Sequence, residues 1–335
     1  MTANKQPSID TFQIPSLNLR ISRLGLGCGA IGGHGWGVRD DEAALGAIRL
    51  AAELGVTFFD TADVYGLGLA EQLLCKGLAD VPGALERSII ATKGGVRWDD
   101  HRRTIRDSSP KYLCAAVEAS MQRLKIDCIP LYYLHWPDGT TPIDESISAL
   151  CRLRDQGKIQ AIGVSNMLAT DLVRLGSARI AAVQVKGNLL EPDQLFSIYQ
   201  VARRIGAVVV CSSSLADGLL AGNITKDHVY TQDDHRNRYP LFQPDRLPEV
   251  LDRVGVVQEY ARALRKSPAQ VALRWLLETG VADAVLCGAK RPEQVIVNTG
   301  AIGWELGQEN IQSLAARVPL TTCDEFENWR RQITQ

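Results

Sequence analysis

Four polar side chains of different chemistry stand directly after short apolar runs of the sequence. They are Asp60, Tyr65, Lys93 and His135. If these groups met at one site they could reduce a carbonyl group, because a phenol can supply a proton and an imidazole can orient and polarise the carbonyl oxygen. None of the four can deliver a hydride, so this chemistry also requires a cofactor.

The combination of these residues carries the argument, since each residue alone has a purely structural explanation. A free tyrosine has a pKa of about 10, which is too high for easy proton exchange near neutral pH. We expect the Lys93 cation to lower the pKa of Tyr65, because a positive charge favours the phenolate. A buried lysine needs a counter-charge, and Asp60 can supply it.

The elements that must position these groups alternate between short strands and amphipathic helices. The apolar runs predict strands at 24–28, 57–59, 88–92, 128–134, 159–164, 182–185, 207–211 and 284–287. Helical patterns lie at 41–53, 111–124, 145–155, 169–175, 193–204, 248–264, 268–278 and 292–302. This alternation predicts an α/β fold, a single-domain (β/α)8 TIM barrel over residues 1–335, with an eight-stranded parallel sheet. We expect residues 11–21 to form an N-terminal hairpin that plugs the bottom of the barrel.

The composition gives no reason to expect a macromolecular or membrane partner. The net charge of −1 offers no attraction for nucleic acid or an anionic membrane. The N-terminal sequence lacks the apolar segment of a signal peptide, and no apolar run reaches about 18 residues. The eight cysteines form no C-x-x-C pair, which suits reduced core cysteines in a cytoplasmic protein. The five histidines show no metal-ligand spacing, so we expect no metal.

Two glycine-containing segments are candidates for cofactor binding. Residues 25–30 match G-x-G-x-x-A after a strand, but four more glycines follow in 31–38 without a helical pattern. We therefore interpret these glycines as permitting close approach to a ligand at the barrel mouth, rather than as a dinucleotide-binding motif of the Rossmann type. Gly288, Lys290 and Arg291 precede a predicted helix, so that cations and helix-terminal N–H groups coincide at a phosphate site.

Taken together, the motifs resemble the aldo-keto reductase family from Leu24 to about Trp304. The segments that carry the resemblance are FDTA with YG at 59–66, KGG at 93–95, HWPD at 135–138, GVSN at 163–166 and GAKRPEQ at 288–294. The resemblance implies a (β/α)8 barrel, an extended NAD(P)H and direct hydride transfer to an aldehyde or ketone. Asp60, Tyr65, Lys93 and His135 fall on the catalytic tetrad of the family.

The resemblance also implies a set of cofactor contacts. Asp60, Ser165, Asn166 and Gln184 fall near the nicotinamide, Leu215 and Gly218 in the pyrophosphate loop, and Gly288, Lys290, Gln294 and Asn298 at the adenosine end. Ser212 stands where many members place an aromatic residue against the nicotinamide. Two further departures are Gly187 in place of a tyrosine and Val297 in place of an acidic residue. Lys290 and Arg291 favour NADP(H) over NAD(H), since a 2′-phosphate needs cations.

The substrate is expected to be a small carbonyl compound or a sugar. Trp36, Trp98 and Trp136, with the long connection 221–247 near Tyr239 and Phe242, are the expected pocket walls. One alternative is a sugar or alcohol dehydrogenase that uses NAD(P)+ in the oxidative direction, and another is a cofactor-binding regulatory subunit with weak turnover. A Schiff-base aldolase that uses Lys93 and a glycosidase that uses Asp60 and Asp138 also stay open.

Overall fold

A closed barrel of eight parallel strands forms the centre of the computed structural model, which describes residues 9–14 and 19–333. The strands in chain order are β1 Thr11–Ile14, β2 Leu19–Ser22, β3 Leu24–Gly27, β4 Phe58–Asp60, β5 Ile89–Gly94, β6 Val96–Trp98, β7 Thr104–Arg106, β8 Ile129–Leu134, β9 Ile159–Ser165, β10 Ala182–Lys186, β11 Val208–Ser212 and β12 Ala284–Gly288. The barrel runs β3-β4-β5-β8-β9-β10-β11-β12 and closes from β12 to β3. The predicted α/β TIM barrel is therefore confirmed.

Helices surround the barrel and follow most of its strands. They are α1 Asp41–Glu53, α2 Leu69–Ala79, α3 Ala84–Arg87, α4 Pro110–Leu124, α5 Ile143–Asp155, α6 Ala169–Arg174, α7 Asp193–Arg204, α8 Leu247–Leu264, α9 Pro268–Glu278, α10 Pro292–Thr299, α11 Gln308–Arg317 and α12 Asp324–Ile333. The eight predicted helices are present with ends within three residues of those expected. Helix α2 was missed because it begins after Gly68, which has a φ of 93° and offers no side-chain cap.

The N-terminal hairpin closes the bottom of the barrel as predicted. Strands β1 and β2 pair antiparallel, and Ile14 and Ile21 are completely buried. They belong to the same apolar cluster as Phe58 and Leu131 of the barrel interior. The turn between the two strands, residues 15–18, lies outside the described residues, as do residues 1–8 and 334–335. That the whole of 1–335 is one domain stays a prediction.

Three loop segments lie at the opposite end of the barrel, namely the glycine-rich segment after β3, the β6–β7 hairpin and the long connection 221–247, and the first and third of them are in contact. The His235 N–H donates to the Gly35 carbonyl at 3.0 Å, and the His235 and Trp36 rings meet edge to face with centroids 3.9 Å apart. A Cβ on Gly32 would lie 2.5 Å from the Gly66 Cα. The absence of a side chain at Gly32 therefore allows the backbone at Gly66 to pack directly against it, next to the turn that carries Tyr65.

The described part of the chain contains no helix that is long and apolar enough to cross a membrane. Nor does it bring together three or more His, Cys, Asp or Glu side chains that could hold a metal ion. All eight cysteines are free thiols, of which Cys28, Cys75, Cys211 and Cys287 are buried. The expectation that the cysteines are core residues is wrong for Cys128, which is exposed just before β8.

Candidate active site

Three neighbouring strands bring the four predicted catalytic residues to one rim of the barrel. Asp60 ends β4, Lys93 lies near the end of β5, and His135 follows β8 directly. Because β4, β5 and β8 are adjacent and parallel, their carboxyl ends lie side by side. Tyr65 reaches the same rim from the turn after β4, where its N–H donates to the Ala62 carbonyl.

A buried ion pair fixes the base of the site. The Lys93 ammonium has no solvent exposure, and it donates to Asp60 Oδ1 at 2.5 Å and to the Thr61 carbonyl at 2.8 Å. The second carboxylate oxygen of Asp60 accepts from the Gln184 amide at 2.7 Å. Burial by itself would lower the pKa of Lys93, but the neighbouring Asp60 carboxylate raises that pKa above its ordinary value. Lys93 is therefore an ammonium at neutral pH.

Tyr65 packs between the cation and the imidazole. Lys93 Nζ lies 5.0 Å from the centre of the Tyr65 ring, and the His135 ring is edge-on to Tyr65 with centroids 5.7 Å apart. Burial raises the pKa of Tyr65, and this effect outweighs the opposing charge of Lys93. The expectation of a lowered Tyr65 pKa is thus wrong in its net direction. The phenol keeps its proton near neutral pH, which is the state needed to donate it.

His135 is a neutral imidazole at the edge of the site. Burial, reinforced by the cations of Lys93 and Arg106, lowers its pKa well below the ordinary value. Its Nδ1 is buried and has no hydrogen-bond partner among the described residues. Asn166 donates to the His135 carbonyl at 2.9 Å, which ties β9 to the residue after β8. A neutral imidazole with an N–H can donate to a carbonyl oxygen without competing for a proton.

The predicted nicotinamide contacts lie at the ends of the next two strands. Ser165 and Gln184 are buried, and Asn166 has a φ of 55° that turns the chain after β9. The Asn166 amide donates to Ser165 Oγ at 3.1 Å, which leaves the Ser165 hydroxyl proton free to donate outward. The amide oxygens of Asn166 and Gln184 are acceptors. A carboxamide, with one carbonyl and one NH2, complements this donor and acceptor set.

The loop after β11 has an unusual backbone. Ser213, Ala216, Asp217 and Gly218 all have positive φ, and the N–H groups of Ala216 and Gly218 donate to carbonyls within the loop. Leu215 is partly buried within the loop, and Ser212 is half-buried where it begins. A Cβ on Gly218 would lie 4.0 Å from a guanidinium nitrogen of Arg236.

Arg236 was not predicted as a site residue, although the connection that carries it was singled out. It pairs with the Asp234 carboxylate at 2.7 Å and lies over the rings of Tyr230 and Trp36. The signal that could have found it is the charged sequence DDHR at 233–236 inside a long connection. Its cation adds to those of Lys290 and Arg291 at this side of the barrel mouth.

At the end of β12 the chain leaves room for a ligand to approach. Gly288 is exposed and pairs in register with Gly27, and the nearest atom to a Cβ on Gly288 would be 3.9 Å away. The Lys290 ammonium donates to the Trp36 carbonyl at 2.8 Å. Gln294 accepts from the Lys290 N–H, and Asn298 donates to the Gly288 carbonyl. The two amides therefore brace the turn that presents Lys290.

The three predicted pocket tryptophans lie in different surroundings. Trp136 follows His135, and its ring carries the Arg106 guanidinium at 4.2 Å. Trp98 ends β6 and is half-buried, whereas Trp36 packs on His235 beside Lys290. Arg106 was missed because it lies in the β6–β7 hairpin, whose polar residues show no strand pattern.

Of the two aromatic residues of the long connection that were expected to line the pocket, only one lies at the barrel mouth. Tyr239 is 40% exposed at the barrel mouth. Phe242, in contrast, is 9% exposed and packs against Tyr230 and the main core, so it does not line the mouth.

Comparisons with known proteins agree with this geometry. The family model described as "Aldo/keto reductase family" matches residues 23–318. The chain is 34% identical over 313 residues to the aldo-keto reductase YhdN of Bacillus subtilis, covering 93% of this chain and 94% of the relative. It is 32% identical over 305 residues to the NADH-specific methylglyoxal reductase of Escherichia coli, covering 86% of this chain and 92% of the relative.

Among solved structures, a glycerol dehydrogenase from Gluconobacter oxydans superposes with a TM-score of 0.83 at 34% identity. The match covers 95% of this chain and 98% of that chain. An aldo-keto reductase from Bacillus halodurans in its holo form superposes with a TM-score of 0.77 at 25% identity, covering 95% of this chain and 99% of that chain.

Proposed function

This chain belongs to the aldo/keto reductase family of oxidoreductases, and from that premise we propose that it reduces an aldehyde or ketone with Tyr65 as the proton donor and NADP(H) as the cofactor. The observation that supports this most directly is the environment of Tyr65. The phenol is protonated, and it lies between the ammonium of Lys93 and the neutral imidazole of His135.

The residues of the chain share the work of proton transfer and orientation. His135 donates a hydrogen bond to the carbonyl oxygen and so orients and polarises the carbonyl group. Tyr65 gives its hydroxyl proton to that oxygen as the alcohol forms. The Lys93 ammonium, held by Asp60, stabilises the phenolate that this transfer leaves, and a solvent proton restores the phenol. The bound dihydronicotinamide supplies the hydride.

The described residues fit a dinucleotide along one side of the barrel mouth. Ser165, Asn166 and Gln184 would hold the carboxamide, with Asp60 hydrogen-bonded to Gln184. Ser212, Leu215 and Gly218 would line the pyrophosphate. The exposed Gly288, with Lys290, Gln294 and Asn298, would hold the adenosine end. This assignment rests on the donor and acceptor sets and on the open backbone at Gly288.

The preference for NADP(H) rests on Lys290. Among the described residues the Lys290 ammonium donates only to the Trp36 carbonyl, so two of its three hydrogens are left for a 2′-phosphate. The relatives differ on this point, since the methylglyoxal reductase of Escherichia coli is named as NADH-specific and the aldo-keto reductase yakc of Schizosaccharomyces pombe carries NADP(+) in its name. Lys290→Ala should weaken NADPH binding about tenfold more than NADH binding. An equal loss for both would remove Lys290 from phosphate recognition.

The decisive experiment replaces the proton donor and follows both binding and turnover. Tyr65→Phe should reduce kcat for a panel of carbonyl substrates by roughly 10²–10⁴-fold. Fluorescence titration should show that NADPH still binds, because the assigned cofactor contacts lie on other residues. Tyr199→Phe, which removes the hydroxyl group of a half-buried tyrosine in α7, is the matched control and should change neither quantity. Unchanged turnover in Tyr65→Phe would refute the assigned role.

Oxidation of an alcohol or sugar is the second candidate, since a similar structure is that of a glycerol dehydrogenase. The same residues would serve, but Tyr65 would then have to accept a proton as the phenolate. Because burial raises the pKa of Tyr65, little phenolate is present near neutral pH. We therefore expect kcat for reduction to exceed kcat for oxidation when both are measured near neutral pH.

A further inference from the structure

A short hydrogen-bonded chain lies behind the catalytic residues, on the loop that joins Asp60 to Tyr65. Its first member is Asp63, which is 1% exposed and whose N–H donates to the Lys93 carbonyl at 3.1 Å. Asp63 Oδ2 lies 2.7 Å from the Tyr112 hydroxyl of α4. The same hydroxyl lies 3.0 Å from the carbonyl of Val96 in β6. The contacts join the catalytic loop to the hairpin that follows Lys93.

Counting the hydrogens in this chain identifies the protonation state of Asp63. The Tyr112 hydroxyl has one hydrogen, whereas an ionised carboxylate and a backbone carbonyl can only accept. If Asp63 were ionised, the single hydrogen of Tyr112 could serve only one of its two contacts, and the other contact would bring two acceptor oxygens together. With a proton on Asp63 Oδ2, Asp63 donates to Tyr112 Oη, and Tyr112 donates to the Val96 carbonyl. Both contacts are then hydrogen bonds.

The other oxygen of Asp63 supports the same assignment. Asp63 Oδ1 is buried and has no hydrogen-bond partner among the described residues. A buried oxygen without a partner is much more costly in a carboxylate than in a neutral acid.

The charged and polar groups that face Asp63 do not provide a counter-ion. The cation that acts on Asp63 is Arg123, which donates at 2.5 Å to Glu71, and Glu71 also accepts from Thr92 at 2.6 Å. The remaining neighbours are the hydroxyls of Tyr112 and Tyr132 and the N–H of Val64. Burial raises the pKa of Asp63 to about 7 and the Glu71 carboxylate adds to this shift, although the Tyr112 hydroxyl, the Val64 N–H and the Arg123 cation oppose it. Glu71 is thus the paired carboxylate of this region, and Asp63 is the unpaired one.

We propose that Asp63 is a neutral carboxylic acid that donates to Tyr112 and, through Tyr112, holds the β6–β7 hairpin against the loop that carries Tyr65. Asp63 is a positioning residue, since its side chain bonds to Tyr112 rather than to a catalytic group. When Asp63 ionises, the Tyr112 hydrogen turns to the carboxylate and the Val96 carbonyl loses its donor. The contact between hairpin and loop then weakens, and the placement of Tyr65 relative to Lys93 becomes less exact.

The test uses Asp63→Asn, because an amide can donate to Tyr112 as the neutral acid does but cannot ionise. The infrared difference spectrum between about pH 6 and about pH 8.5 should contain the carbonyl stretch of a protonated acid in the wild type. The band should be smaller in Asp63→Asn by the contribution of Asp63, whereas Asp217, whose pKa burial raises to about 6, contributes equally to both proteins. A band of equal size in both proteins, or no such band in the wild type, would overturn the proposal without reference to turnover.

Stability and kinetics give two further measurements, of which the kinetic one rests on the proposed reductase activity. The folded pKa of Asp63 lies above its unfolded value of 3.8. The stability of the wild type relative to Asp63→Asn should therefore be greatest below about pH 4, fall as the pH rises to about 7, and stay constant above. Wild-type kcat should fall severalfold between about pH 6 and about pH 8.5, and Asp63→Asn should keep kcat level.

Two matched variants separate positioning by a neutral acid from the simple need for a carboxyl group. Asp63→Ala removes the donor and should lower stability at about pH 6, where Asp63→Asn should not. Glu71→Gln should lower stability at the same pH, because Glu71 is ion-paired with Arg123. If Asp63→Asn is as unstable as Asp63→Ala, then Asp63 acts as a carboxylate and the proposal fails.

Discussion

The buried Lys93–Asp60 pair makes a quantitative prediction about stability. Removing one partner of a buried ion pair leaves an uncompensated charge and costs about 3–5 kcal/mol. The loss of stability in Asp60→Asn should lie at the upper end of this range, because Lys93 has no solvent exposure. Lys93→Met should fall at the lower end, because Asp60 keeps the Gln184 bond and burial raises its pKa, so that it can take up a proton.

The double variant Asp60→Asn/Lys93→Met contains no unpaired charge and should therefore be more stable than either single variant. We expect it to recover at least about 2 kcal/mol relative to Asp60→Asn. The assay is urea unfolding of the four proteins in the cycle at neutral pH, followed by fluorescence. Lys93→Met and the double variant should also lose most carbonyl reduction, since neither contains the ammonium that stabilises the Tyr65 phenolate.

A surface pair gives the matched control for this cycle. Arg49 and Asp80 form an ion pair at 2.9 Å with side chains 34% and 42% exposed. Their coupling should be about 0–1 kcal/mol, since water screens both charges. Simple additivity of the Asp60 and Lys93 substitutions would contradict the reasoning, because it would mean that neither group depends on the other for its charge.

Two other predictions concern the packing and the electrostatics of the rim. Gly32→Ala should lower the free energy of unfolding in urea by about 1–3 kcal/mol and lower kcat, because the new Cβ would lie 2.5 Å from facing backbone. Gly255→Ala is the control and should change neither quantity, because a Cβ at this position of α8 would meet open space. Equal effects of the two substitutions would contradict this reasoning. Arg106→Ala should raise the pKa of His135, because the Arg106 guanidinium contributes to lowering that pKa. NMR titration of labelled histidine measures the change. Arg103→Ala is the control and should change the pKa of His135 less.

The sequence determined the barrel and the identity of the polar residues at its rim. Each barrel strand is a short apolar run that is largely buried on both faces, and this property is visible locally. The residue that follows each apolar run lies at the carboxyl end of a strand, so the sequence alone placed Asp60, Lys93 and His135 at the rim of the barrel. Two of the elements that were missed have weak local signals: α2 lacks a capping side chain, and β7 is exposed along its length.

The tertiary structure decided how these residues are partnered and charged. Only the packed barrel shows that burial outweighs Lys93 in setting the pKa of Tyr65. Only the meeting of the loops at the barrel mouth reveals that Lys290 donates to the Trp36 carbonyl. The contact of Asp63 with Tyr112 likewise joins residues 49 positions apart in the chain. Periodicity reports which side of one segment is buried, whereas desolvation and hydrogen-bond partners depend on distances between segments that are remote in the chain.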